Sequence, residues 1–294
     1  MHDAYEQQVR EEIAAWKNEK DGAITHAIRR AGKIVQPVTG VMMAAVPNSV
    51  KSTVMDAVLG ALEAMNDAAY WTYRDADVLR VARSEGAEAT CIEDLAKNDM
   101  KTLDCSARRF FMSNKLIAML EGAGCGLGGW AFVAADVPAL FTVSFRAVQQ
   151  IGSCYGVDMR DPQMVHVVMR VFNAGSATAP EVKAAALFDM HVASIAMAKK
   201  WTYQKTAEKT QTGVMIKALK EATKHMPRQI SRHVTKRKLA QGIPFVGAGV
   251  GGFFNYRFLS NTCRSAHMLF RELYLTRKYG DEGISVEYEP VALA

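Results

Sequence analysis

The chain has 294 residues, of which 49% are hydrophobic, and a formal net charge of +6 at pH 7. This apolar content is ample for a folded core, so the composition excludes a disordered or fibrous chain. The positive charge favours an acidic partner such as anionic lipid or nucleic acid. The five cysteines are widely spaced without a C-x-x-C pair, which favours reduced thiols in the cytoplasm.

The first third of the chain is predicted to be helical. Apolar residues at helical spacing predict a surface helix over residues 4–17, and we expect no secretory signal there. The pattern is helical again over residues 24–46. Asn48 and Ser49 are cap-type residues, and they begin an amphipathic pattern that runs toward Arg83.

Capping signals predict three further helices. Residues 90–93 (Thr-Cys-Ile-Glu) fit a capping box, and a helix is predicted over about 103–121. The Asp-Val-Pro run at 136–138 resembles a helix start with proline in the first turn, and that helix should end near Gly152. Another Asp-Pro start begins a helix over about 161–175.

The remainder of the chain completes an all-α prediction. Pro180 opens the longest helical pattern, through Lys224, and only residues 284–288 alternate as a strand would. We therefore predict a single helical domain of about eight to ten helices. By sequence, the chain divides into an N-terminal helical extension (residues 1–20), a main helical domain (21–280) and a C-terminal tail (281–294).

Two glycine-rich apolar stretches, residues 124–130 and 247–253, share the pattern G-x-G-x-G-G followed by an aromatic residue. Both also satisfy G-x-G-x-x-G, but neither follows a predicted strand, so a dinucleotide loop is not supported. We expect hairpin-like segments with close backbone packing, because each stretch carries a G-x-x-x-G pair on one helix face. The paired glycines are Gly124, Gly128, Gly247 and Gly251.

A basic amphipathic helix is predicted between Lys217 and Lys238, where eight Lys and Arg residues face one acid, Glu221. The helix should kink or restart at Pro227. Such a helix can lie on an anionic membrane or form a solvated face, whereas the lack of aromatics disfavours nucleic acid. Membrane contact is predicted for aromatic residues around the glycine stretches and for basic residues of this helix: Trp130, Phe132, Phe141, Phe253, Phe254, Lys220, Lys224, Arg228, Arg232 and Lys236.

Asp136 and Arg146 are charges within an apolar run, and each would be costly to bury unpaired. On one straight helix they are roughly 15 Å apart, so each needs another partner. The structural interpretation places Asp136 at the positive end of its helix and bonds Arg146 to Gln150 or another helix. The functional interpretation is a polar pocket beneath the glycine stretches, with six candidate residues: Asp136, Ser144, Arg146, Gln150, Asn255 and Arg257.

Common catalytic signatures are missing from the sequence, which contains no H-E-x-x-H, Walker loop or G-x-S-x-G. The seven histidines are scattered, with none three or four residues from another. Ser144 has no identifiable base. We therefore predict no catalytic residue, no metal site and no cofactor.

Several separated motifs, in this order, resemble the EcsC family over about residues 20–275. They are the runs 128–130, 136–141, 146–152 and 155–158, then Pro244, Gly247, Gly251, Gly252, Asn255, Ala266, Phe270 and Arg271. The resemblance implies a bacterial, membrane-connected helical protein associated with an ABC-type exporter. It implies no settled catalytic activity and no active site.

The preferred interpretation is a non-enzymatic, lipid-binding protein in the cytoplasm, peripheral to the inner face of the cell membrane. Its expected partners are anionic lipid and the membrane subunits of an exporter. The alternative is a hydrolase of lipid or peptide substrates with a pocket around Asp136, Arg146 and Asn255. A third interpretation is a soluble adaptor whose glycine stretches only permit close helix packing.

Overall fold

The fold is a helical bundle, seen in a computed structural model that describes residues 3–17, 46–68, 73–125, 129–161, 163–177, 185–187, 189–193, 197, 226–241 and 247–280. No strand occurs among these residues, which confirms the all-α prediction. The helices are α1 (Ala4–Lys17), α2 (Asn48–Ala68), α3 (Asp75–Ser84), a 3-10 helix (Glu93–Lys97), α4 (Met100–Cys125), α5 (Gly129–Cys154), α6 (Met164–Ser176), α7 (Met226–Gln241) and α8 (Gly247–Tyr279).

Helix α8 is the central element of the bundle. It is 33 residues long and packs against α1, α4, α5, α6 and α7. Every residue from 268 to 276 is buried. This part of α8 is covered on all sides and belongs to the core, so those five helices are arranged around α8.

Helix α4 runs antiparallel to α8. Near the start of α4, Asp104 bonds to Arg271 in the last third of α8. Farther along α4, the Lys115 ammonium lies over the ring of Tyr256, near the start of α8. The C-terminal end of α4 therefore lies beside the N-terminal end of α8.

Helix α5 runs parallel to α8. Phe141 packs against Phe258, and at the end of α5 Tyr155 stacks on Phe270. The end of α4 and the starts of α5 and α8 therefore meet at one end of the bundle. We call this the glycine end, because both glycine-rich stretches lie there.

The structure confirms some helix boundaries and corrects others. Helix α1 covers the predicted residues 4–17, and α6 lies within about three residues of its predicted bounds. Helix α5 was predicted to start at Asp136 but starts at Gly129, with Pro138 inside it. Proline removes one helical hydrogen bond and bends a helix, and a helix this long continues through it.

Tertiary contacts explain two other differences. The pattern running toward Arg83 divides into α2 and α3, because Arg74 is extended and Tyr73 is buried, with a 2.8 Å hydrogen bond between its hydroxyl and that of Ser153. The predicted capping box at 90–93 does not form: the 3-10 helix has no side-chain cap bond, and the backbone and hydroxyl of Thr90 both donate to the Asp94 carboxylate. The predictions for residues 24–45, 198–224 and 284–288 lie outside the described residues.

Close packing of α6 on α8 requires a glycine at position 175. A Cβ there would lie 2.6 Å from Oγ1 and 2.9 Å from Cα of Thr262. We expect Gly175→Ala to lower the free energy of unfolding by roughly 1–3 kcal/mol, because the backbone of α8 must shift. Urea unfolding at fixed pH measures the change.

Gly60 on α2 is the matched control, since a Cβ at that position meets nothing within 4 Å. Gly60→Ala should be neutral or stabilise the protein by up to roughly 1 kcal/mol through helix propensity. Equal effects of the two substitutions would contradict the close approach of α6 and α8.

Candidate functional site

A fully buried polar cluster joins α5, α7 and α8. Lys238 and Asn255 are 0% exposed, and Asp136 is 2% exposed. The Lys238 ammonium donates to the Asp136 carboxylate and, over 2.7 Å, to Oδ1 of Asn255. The Asn255 amide donates to both oxygens of Asp136 at 3.1 Å. We call these three residues the polar cluster.

The polar cluster satisfies its own charges. An ammonium and a carboxylate that are each buried alone would be very costly, whereas the pair is neutral and hydrogen-bonded. The ammonium also lies 5.1 Å from the centre of the Phe254 ring, which favours a cation on its face. Both Asp136 oxygens already accept bonds, so this geometry locks three helices together and presents no free base to a substrate.

The structure brings two of the six pocket candidates, Asp136 and Asn255, into the polar cluster. Ser144 is buried nearby in sequence, but its hydroxyl has no hydrogen-bond partner among the described residues, and Arg146 is exposed. The reason is helical geometry, because ten residues carry Arg146 roughly 15 Å along α5 and about 80° around it. These two residues do not join Asp136, so the predicted group of pocket residues is not assembled.

The other two pocket candidates are also elsewhere. Gln150 is buried, and its side-chain oxygen accepts a 2.8 Å hydrogen bond from Asn114 on α4 instead of one from Arg146. Arg257 is half-buried and follows Asn255 by two residues, which places it about 160° away around α8. Neither residue takes part in the bonds of the polar cluster.

Two of the predicted membrane-contact residues belong to the core. Phe141 and Phe254 are buried, and Phe141 stacks on Phe172 at 5.5 Å. Their positions lie on the faces where α5, α6 and α8 meet, so the prediction of membrane contact is wrong for these two. Arg228 on α7 is exposed, and its membrane contact stays a prediction. The remaining candidate side chains lie outside the described part: Trp130, Phe132, Phe253, Lys220, Lys224, Arg232 and Lys236.

Three of the four glycines predicted to permit close packing lie within helices. Gly124 is in the last turn of α4, and Gly247 and Gly251 are in the first two turns of α8. Gly128 lies outside the described residues.

Lys238 is the site residue that sequence reasoning missed. The sequence shows it only as the last cation of the basic stripe. A signal was nevertheless present, because Met226, Ile230 and Val234 recur every four residues on α7 and Lys238 occupies the next position. All four are buried, so the apolar face of α7 continues through a lysine. A cation at an apolar position predicts a buried acid partner.

A second buried network lies toward the opposite end of α8. Asp104 accepts bonds from Nε of Arg271 at 3.0 Å, from the Tyr5 hydroxyl at 2.6 Å and from the Tyr155 hydroxyl. The Tyr155 oxygen is also 3.0 Å from Nδ1 of His267. Because the hydroxyl proton is directed to Asp104, His267 donates from Nδ1. We call these five residues the far network.

Burial and charge shift the pKa values of the far network. Burial raises the pKa of Asp104, but the Arg271 bond and the neighbouring positive charges outweigh it and hold that pKa below its usual range. Burial, followed by the charge of Arg271, lowers the pKa of His267 to about 4. The network is therefore built around an ionised aspartate and a neutral histidine.

Within the described ranges, no helix is both long enough and apolar enough to span a bilayer. Among those same residues, His, Cys, Asp and Glu side chains form no group that could bind a metal ion.

A protein-family model matches most of the chain. The model of the EcsC protein family matches residues 7–275. Protein EcsC of Bacillus subtilis is 24% identical over 190 residues, which are 63% of this chain and 71% of that protein. Uncharacterized protein YdbA of the same organism is 31% identical over 70 residues, 24% of this chain and 26% of that one. No solved structure matches.

Removal of the Lys238 charge tests the polar cluster. Lys238→Met leaves the Asp136 carboxylate buried without its counter-charge, so we expect unfolding to become easier by about 3–5 kcal/mol. Chemical denaturation measures this change. Arg228→Met removes an exposed cation from the same helix and should change stability by less than about 0.5 kcal/mol.

The double variant Lys238→Met, Asp136→Leu distinguishes the destabilising effect of an unpaired buried charge from that of lost packing. It removes both charges and should recover part of the stability that the single variant loses; the recovery is incomplete because the buried Asn255 amide then lacks both partners. A double variant as unstable as the single one would argue against the ion pair.

The lowered pKa of His267 predicts that the folded protein becomes less stable in acid. The unfolded chain binds this proton near pH 6.5 and the folded chain only near pH 4. Unfolding therefore takes up about one more proton within that window, and stability falls as pH drops through it. Unfolding free energies measured from pH 7 to 4 should show a shallower slope for His267→Asn, by about one proton. An unchanged slope would contradict a neutral His267.

Proposed function

Since the chain belongs to the EcsC protein family, we propose that it is a non-enzymatic protein that lies on the inner face of the cell membrane and inserts its glycine end into one leaflet. The observation that carries this proposal is the meeting of both glycine-rich stretches at one end of the bundle.

Three polar side chains on α4, α5 and α8 lie at one level along the helices. Asp136 is seven residues into α5 and Asn255 is eight residues into α8, roughly 10–12 Å from the glycine end. Lys115 is ten residues before the end of α4, roughly 15 Å away. Asp136, Asn255 and Lys115 therefore lie at a similar height.

Beyond this level the sequence is almost uncharged. Residues 116–135 contain one charged residue, Glu121, and residues 239–256 contain none. A length of roughly 10–15 Å corresponds to half of the hydrocarbon thickness of a bilayer, about 30 Å. The depth and the composition together support insertion into a single leaflet.

Basic residues support an anionic lipid as the partner. Each Lys or Arg near an anionic surface contributes about 1 kcal/mol of attraction. Arg228 is exposed on α7 and belongs to the basic stripe between residues 217 and 238, from which Lys238 is withdrawn into the core. The family resemblance extends the proposal to a protein partner, the membrane subunits of an ABC-type exporter.

The hydrolase alternative receives less support from the geometry. A hydrolytic site needs a nucleophile within hydrogen-bonding reach of a base. Ser144 is eight residues from Asp136, roughly 12 Å along α5, and its hydroxyl contacts no base among the described residues.

Flotation on vesicles tests the membrane proposal. We expect the protein to float with phosphatidylcholine vesicles, and more strongly when phosphatidylglycerol is added. Val250→Glu places a carboxylate in the first turn of α8, where helices accept it, yet it should weaken flotation by roughly tenfold or more. The reason is the cost of moving a charge into an apolar layer.

Gln7→Glu adds the same charge to an exposed position on α1, which packs on α8. This control should float as the unmodified protein does. Failure of the unmodified protein to float with either type of vesicle at low salt would refute membrane association.

A further inference from the structure

The Lys115 side chain lies between two aromatic rings on the surface formed by α4 and α8. Its ammonium nitrogen is 3.8 Å from the centre of the Phe111 ring and 5.3 Å from that of Tyr256. No carboxylate pairs with it in the part of the chain that the structure describes. Partial burial lowers the pKa of Lys115, since the ammonium is partly removed from water.

Apolar side chains surround this cation and remain open to solvent. Met112, one turn before Lys115, is 59% exposed, and Tyr256 is 37% exposed. Phe111 is half-buried beside them. We call these four residues the Lys115 groove. A half-buried cation with exposed apolar neighbours suits a ligand that has both an anionic group and a hydrocarbon part.

The Lys115 groove lies at the depth where lipid phosphates would be found. Lys115 is roughly 15 Å from the glycine end along α4, and Tyr256 is roughly 13 Å from it along α8. If the glycine end reaches the middle of the bilayer, this level coincides with the boundary between hydrocarbon and headgroups. Lysine and tyrosine are residues that favour this boundary.

We propose that the Lys115 groove binds the phosphate of an anionic phospholipid, with the ammonium donating to a phosphate oxygen and Met112 and Tyr256 contacting the adjoining glycerol and acyl carbons. This proposal rests on the membrane association proposed above. A free phosphate would make no use of the exposed apolar side chains, and for that reason the lipid is the occupant that the groove fits.

Lys115→Met tests the groove, because it keeps an unbranched side chain of similar length and removes the charge. The matched control is Lys101→Met, which removes an exposed lysine from the other end of the same helix. Each variant is floated on phosphatidylcholine vesicles and on phosphatidylcholine with phosphatidylglycerol. We expect Lys115→Met to lose several-fold in its preference for the anionic vesicles and to keep its binding to the neutral ones.

Lys101→Met should retain the anionic preference, and Lys115→Arg should restore it, since arginine also donates to phosphate. Equal preference in Lys115→Met and Lys101→Met, with the unmodified protein floating on both vesicles, would overturn the groove and leave membrane association intact. Absence of the unmodified protein from both vesicles would overturn both proposals.

Inorganic phosphate distinguishes a lipid site from a site for free anions. At matched ionic strength with chloride, added phosphate should leave the anionic preference unchanged. Loss of the preference in phosphate alone would show that Lys115 takes the free anion, against the proposal. Urea unfolding midpoints of the variants that match the midpoint of the unmodified protein confirm that the comparison concerns binding.

Discussion

Helix α8 carries ionised and amide side chains through the centre of an apolar bundle, and each of them needs a partner on another helix. Asn255 meets Asp136 and Lys238, while Arg271 meets Asp104. A buried charge without a partner costs several kcal/mol, so any arrangement of helices that separates these residues is strongly disfavoured. Apolar packing makes the bundle stable, and these polar pairs select one arrangement of its helices.

The same pairs explain the position of the glycine-rich stretches. The contact between Asp136 and Asn255 holds α5 and α8 side by side at equivalent heights, and both helices begin with a glycine-rich segment. Parallel helices therefore bring two similar apolar segments together at one end. The polar cluster lies beneath them as a neutral layer, so the far network is separated from the apolar end.

Local sequence patterns predicted the helix positions that depend on residues close together in the chain. The apolar spacing of residues 4–17 gave α1, and the Asp-Pro signal at 161 placed the start of α6 within a few residues. The unusual polarity of Asp136 and Asn255 correctly identified them as residues that belong together. The far network could not be predicted, because Asp104 and Arg271 are 167 residues apart and no local pattern connects them. Lys238 was not recognised as a core residue, because it follows other basic residues in the sequence.

Helix α1 completes the core more than its position in the sequence suggests. Its Glu12 bonds to Arg271 over 2.7 Å, and its Lys17 bonds to Glu272 over 2.6 Å. Arg271 and Glu272 are buried on α8, so a chain shortened to begin at residue 21 would leave them without these counter-charges. Truncation at the amino terminus would then destabilise the central helix itself, whereas an affinity tag placed ahead of Asp3 would leave these contacts in place.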